Sequence, residues 1–229
     1  MRPPRQQQFI FRTWGGKRDG AGRKPKLERA GVPHAVRPQH DKRHPVHVTM
    51  RAARCLPSLR KQRVFGAIRR AFSRTARSWF RIIHFSVQAD HVHLLVEAED
   101  KVSLSRGLVG VTVRLARAVN RVIERNGNVW SDRYHARALP TPREVRHALV
   151  YVLMNWRKHL PGARGLDICS SAPLFDGWKV PPASGQPRVD ARADDGIPIR
   201  PPESWLARIG WKRHGLIGLA ERPKAATQR

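Results

Sequence analysis

Two histidines two residues apart, His91 and His93, stand in the segment His91-Val92-His93-Leu94-Leu95-Val96. In an extended strand alternate side chains share a face, so both imidazoles project together while Val92, Leu94 and Val96 turn the other way. Two neutral imidazoles on one face can share a divalent cation. Alone the pattern is weak, because the chain has 11 histidines and a His-x-His pair arises easily by chance. A second constellation lies further along. His147, Tyr151, Asn155 and His159 recur every four residues, which lines them along one face of a helix. Val145, Leu149, Leu153 and Trp156 supply its apolar side. Tyr134 and Tyr151 are the only two tyrosines, so chemistry on a phenolic oxygen has few candidates. Taken by themselves, Tyr151 reads equally as a core tyrosine and Asn155 as a surface amide.

The elements that must position these residues follow from periodicity. Val46-His47-Val48-Thr49-Met50 alternates like a strand. Ser58 is placed to cap a helix whose apolar face is Val64, Phe65, Ile68 and Phe72. Strands are predicted over Trp79 to Gln88 and His91 to Glu97, joined by Ala89-Asp90. A long helix is predicted from Ser103 to about Arg125, with Leu104, Leu108, Val111, Leu115, Val119 and Val122 as its core stripe. Gly107 and Gly110 weaken its first half, and Asn126-Gly127 stops it. Val129 to Leu139 reads as extended, and a last helix runs from Pro142 to about His159. The order β-α-β-β-α-β-α predicts an α+β fold, a ferredoxin-like sandwich with helices packed on an antiparallel sheet.

Charge points to the partner. The 229 residues hold 45 Lys+Arg against 17 Asp+Glu, a net +28. Such self-repulsion is usually matched by a polyanion such as nucleic acid. Residues 1–43 carry +9, residues 44–160 carry +15 and residues 161–229 carry +4. The first segment is rich in Gly, Pro, Arg and Lys and is expected to be a disordered basic tail. Its Gly22-Arg23-Lys24-Pro25 loosely resembles an AT-hook, which assigns Arg23 and Lys24 to DNA contact, in a minor groove or as a generic phosphate-binding tail. Residues 44–160 form the expected folded domain, and residues 161–229 an irregular C-terminal extension. On the long helix Arg114, Arg117, Arg121 and Arg125 are spaced three, four and four, with only Glu124 as local balance, and read as a phosphate-contacting face.

The combination resembles the single-tyrosine HUH transposases, in particular the IS200-like and REP-associated tyrosine transposases. The resemblance rests on Gln88-Ala89-Asp90-His91-Val92-His93-Leu94-Leu95-Val96, then Asn128-Val129-Trp130-Ser131-Asp132-Arg133-Tyr134, then Val150-Tyr151-Val152-Leu153-Met154-Asn155, within about residues 44–160. Gln88-Ala89-Asp90 stands where that family often has Met-Pro-x, and Asn155-Trp156 where Asn-Pro is common. The resemblance implies that His91 and His93 are metal ligands, Asn155 the third ligand and Tyr151 the nucleophile. It implies Mg²⁺ or Mn²⁺ as cofactor, a 5′-phosphotyrosine intermediate, and single-stranded DNA with hairpin-containing ends as substrate. Some relatives exchange the tyrosine helix between subunits and others act alone, so a homodimer stays open.

Other classes recede. No apolar run approaches the ~20 residues of a membrane span, and the first residues lack a signal-peptide core. A cytoplasmic, nucleoid-associated protein is the expectation. Cys55 and Cys169 have no partner cysteines at ligand spacing, which disfavours a structural zinc site. A replication initiator or relaxase often has a third metal-binding His near the pair or a second tyrosine, and neither arrangement is visible. The main alternative to an enzyme is a non-catalytic or domesticated DNA-binding protein of the same fold.

Overall fold

The computed structural model describes residues 38–159, 165–181, 196 and 198–223. The AT-hook-like segment with Arg23 and Lys24 lies outside the described residues, as does the His159 side chain. The elements are β1 (Val46–Arg51), α1 (Gln62–Ser73), β2 (Phe80–Val87), β3 (His91–Ala98), α2 (Lys101–Val122), β4 (His135–Ala138), α3 (Pro142–Met154), α4 (Trp156–His159) and α5 (Trp205–Arg208). The four strands form one sheet in the order β2-β3-β1-β4, antiparallel at every pairing. Together with the βαββαβ order this is the ferredoxin-like α+β sandwich, extended by α3.

The central strands send alternate residues to two separate cores, β2 and β3 contributing to both. Val46, Val48 and Met50 of β1 and Val92, Leu94 and Val96 of β3 pack with Phe72 of α1 and Leu108, Val111 and Leu115 of α2. On the opposite face Ile83 and Leu95 meet Leu149 and Leu153 of α3. A bulge between Ile82 and His84 in β2 shifts the alternation by one residue, so that Phe80 and Ile82 before it and Phe85 and Val87 after it all face the first core, with Ile83 in the second. The C-terminal segments cover α3 from outside, with Phe175, Trp178, Leu206 and Trp211 in the second core. Arg146 of α3 fastens them: its guanidinium donates to Glu221 at 2.8 and 3.1 Å and to the carbonyls of Gly215 and Leu216.

Several boundaries differ from expectation, each for a local reason. Ser58 does not cap α1; its hydroxyl accepts the Arg60 N–H in a preceding turn, and the helix starts at Gln62. The long helix starts earlier than Ser103, at Lys101, because the Asp100 carboxylate accepts the Ser103 N–H at 2.7 Å. It ends at Val122, where Arg125 N–H reaches back to Asn120 and Glu124 takes a left-handed φ of 52°. Only His135–Ala138 of the predicted 129–139 stretch pairs as a strand. Thr141 accepts the Glu144 N–H and bonds its carboxylate, which with Pro142 starts α3 as anticipated. The last helix does not run unbroken to His159. It is interrupted at Asn155, whose carbonyl accepts the Lys158 N–H in a tighter turn.

Candidate active site

The β1–β3 register sets Arg51 beside His91 and Thr49 beside His93, on the face covered by α3. His91 and His93 project together, with ring centroids 4.7 Å apart. The spacing of two along a strand therefore does what it promises. The turn before β3 orients one ring and the neighbouring strand β1 the other. The Asp90 carboxylate lies 2.7 Å from His91 Nδ1, and Thr49 Oγ1 lies 3.1 Å from His93 Nδ1. With each Nδ1 engaged, a ligand shared by the two rings would be met by Nε2. Partial burial opposes the Asp90 charge, but the His91 hydrogen bond and the nearby Arg51 outweigh it and leave its carboxyl below its ordinary pKa.

Helix α3 brings Tyr151 to this pair. Its ring sits 4.9 Å from the His93 ring and 5.5 Å from the His47 ring, edge-on to both. His47 stacks on His93 at 5.3 Å. Burial, then the nearby His135 and Arg137, push the His47 pKa down to about 4, so it is neutral at pH 7. Burial also raises the Tyr151 phenol above its ordinary value. Lys158 on α4 lies over the Tyr151 ring, its Nζ 4.4 Å from the centroid. One turn beyond Tyr151, Asn155 is 1% exposed. Both polar atoms of its amide are buried without a hydrogen bond among the described residues.

The other tyrosine falls elsewhere. Tyr134 and Trp130 pack against the first core, on the far side of the sheet from α3, and Trp130 Nε1 donates to the Thr112 carbonyl. Arg114, Arg117 and Arg121 belong to α2, in the layer opposite α3, and make no ion pair among the described residues. Arg125 lies past the end of α2, so the four arginines are not one helical row. His147, on the polar stripe, is exposed.

Sequence reasoning missed His47, Thr49, Asp90 and Lys158. A signal existed for the first two, since the alternation of β1 turns both away from its apolar face. Nothing in the sequence states that β1 is the strand beside β3, however, and that pairing is what makes Thr49 a partner of His93.

The donor set suits a divalent cation. Two imidazoles with oriented Nε2 atoms and a buried amide with unsatisfied polar atoms are the groups such an ion recruits. Among the described residues no three His, Cys, Asp or Glu side chains form a ready metal site.

Comparison with known proteins covers the same stretch of chain. No curated protein matches the chain. A solved structure titled "Structure of the REP associates tyrosine transposase bound to a REP hairpin" is 19% identical, with a TM-score of 0.46 over 56% of this chain and 74% of that one. The family described as "Transposase IS200 like" matches residues 42–152, a span that opens just before β1 and closes just past Tyr151. By that match residues 42–152 belong to the IS200-like transposase family.

Proposed function

We propose that this chain cleaves and rejoins single-stranded DNA, with Tyr151 as nucleophile and hairpin-containing ends as substrate. The observation that carries this reading is the contact of the Tyr151 ring with His93, itself beside His91 and held by Thr49. Attack of Tyr151 Oη on a phosphodiester forms the Oη–P bond and breaks the P–O3′ bond. The phenolic proton is lost and the departing 3′ oxygen gains one, giving a 5′-phosphotyrosine and a free 3′-OH. The link keeps the phosphodiester energy, so a later 3′-OH can reverse the step and join a new strand without ATP. His91, His93 and Asn155 would hold Mg²⁺ or Mn²⁺, which supplies Lewis-acid stabilisation of the charge developing on the phosphate.

The chain's own groups prepare the rest. Asp90 and Thr49 fix the two imidazoles, and α3, wedged between sheet and C-terminal segments, holds Tyr151 against them. Burial raises the Tyr151 phenol above its ordinary value, so a cation nearby would be needed to favour its phenolate. The α2 arginines, which make no ion pair among the described residues, favour the second reading, a DNA-binding protein of this fold without catalysis in which they contact phosphates.

Labelled single-stranded DNA incubated with the protein and Mn²⁺ separates the two. The expected result is a covalent protein–DNA adduct on a denaturing gel, lost in Tyr151→Phe with folding unchanged. DNA retention without any adduct, or an adduct that survives Tyr151→Phe, overturns strand cleavage by this residue. Among the described residues no helix is long and apolar enough to cross a membrane.

A further inference from the structure

Beyond the interruption at Asn155, α4 carries Lys158, whose Nζ lies 4.4 Å from the centroid of the Tyr151 ring, seven residues earlier in the chain. Tyr151 is thus flanked by the rings of His47 and His93 and by the Lys158 ammonium. Two other basic side chains near this face have acidic partners: Arg51 lies 3.6 Å from Asp90, and Arg137 lies 2.6 Å from Glu144. Lys158 is exposed and has no carboxylate within ion-pair distance among the described residues. Its partner is the tyrosine ring.

An ammonium on an aromatic face is held weakly, and a phosphate oxygen offers a stronger, charge-assisted hydrogen bond. A lysine is also a compact charge on a long flexible stem, able to leave the ring without moving the backbone. We propose that Lys158 is a phosphate-binding residue of this site, resting on the Tyr151 ring in the free protein and passing to a phosphate oxygen when a nucleic-acid strand reaches the tyrosine hydroxyl. In strand cleavage it would hold the same phosphate before and after it joins Oη. That role in the reaction rests on the strand-cleavage reading, whereas the phosphate contact does not.

The chain's two tyrosines make the contact readable. In full-length protein labelled with ¹³C on tyrosine rings, a short 5′-phosphorylated oligothymidylate is titrated without divalent metal. The Tyr151 ring resonances are expected to shift as the ammonium leaves, with Tyr134 in the other core as internal reference. Lys158→Met is expected to weaken the Tyr151 response about tenfold, the scale of one lost charge-assisted hydrogen bond. Lys158→Arg is expected to keep it, and an unchanged Tyr134 spectrum reports that the variants fold. A Tyr151 ring silent to the oligonucleotide, or Lys158→Met titrating like wild type, overturns the proposal. If wild type forms no covalent adduct yet Tyr151 responds through Lys158, strand cleavage fails and the phosphate site stands. If the adduct forms and the titration ignores Lys158, the phosphate site fails and cleavage stands.

Discussion

Asp90 and Thr49 each hold the Nδ1 of one histidine, and that arrangement gives the pair its directed Nε2 atoms. An imidazole whose ring is free to rotate spends entropy on binding that a fixed ring does not, and the hydrogen bond also raises ligand basicity. Asp90→Ala should therefore weaken Mn²⁺ binding about 10–100-fold by calorimetry, the usual cost of losing such a partner. The Asp90 side chain is 59% exposed, so thermal stability should hardly change. Unaltered Mn²⁺ affinity would remove His91 from the metal site. Lys158 and His47 belong to the same scale. Both touch Tyr151, and neither lies in the motifs by which the sequence resembles a transposase.

At the scale of the element, α2 shows a propensity overruled by packing. Gly107 sits in its interior, where alanine is favoured by about 1 kcal/mol in an isolated helix. A Cβ there would lie 2.2 Å from the Phe80 ring, closer than any real contact. Phe80 is 1% exposed and has no room to retreat. Gly107→Ala should lower stability by about 1–3 kcal/mol in urea unfolding despite its better helix propensity. Gly110 is the matched control, because its Cβ would meet only the mobile end of Arg114 at 2.9 Å. Gly110→Ala should be neutral or stabilising, and equal losses at both positions would refute the account. The two glycines look alike in the sequence, where both weaken the helix. Only the position of Phe80 on β2 distinguishes them.

For the whole molecule, the second core is where acid should act. His47 lies between sheet and α3, and His84 Nδ1 bonds Ser171 Oγ while its ring packs on Phe175 of the C-terminal segment. Burial pushes each down to about 4 from an ordinary 6.5. The unfolded chain then binds more protons than the native one between those values, so stability falls as pH falls. The contribution is complete above pH 6.5 and is lost as pH drops towards 4. Each site amounts to about 3 kcal/mol at most. Melting followed from pH 7 to pH 4 should show a steep decline, roughly halved in His84→Leu. A flat profile would mean that these histidines accept protons in place. Because α3 is the element caught between the two, loss of this core should carry Tyr151 with it.

The sequence by itself determined the layer architecture and the chemistry-bearing pair. A period of two along β3 puts His91 and His93 on one face whatever surrounds them, and a period near four puts Tyr151 and Asn155 on one side of α3. These are properties of local backbone geometry. Thr141 and Pro142 start α3 for equally local reasons. Tertiary structure alone decided which strand lies beside β3, and so that Thr49 and His47 join the site. It also decided that Tyr151 meets His93 while Tyr134 packs in the opposite core. The interruption of the helix at Asn155 was equally invisible to helical periodicity. The C-terminal extension reads as irregular, yet Phe175, Trp178 and Trp211 bury the outer face of α3. Contacts between residues distant in sequence depend on which surfaces find each other once apolar faces are buried, and no local period encodes that.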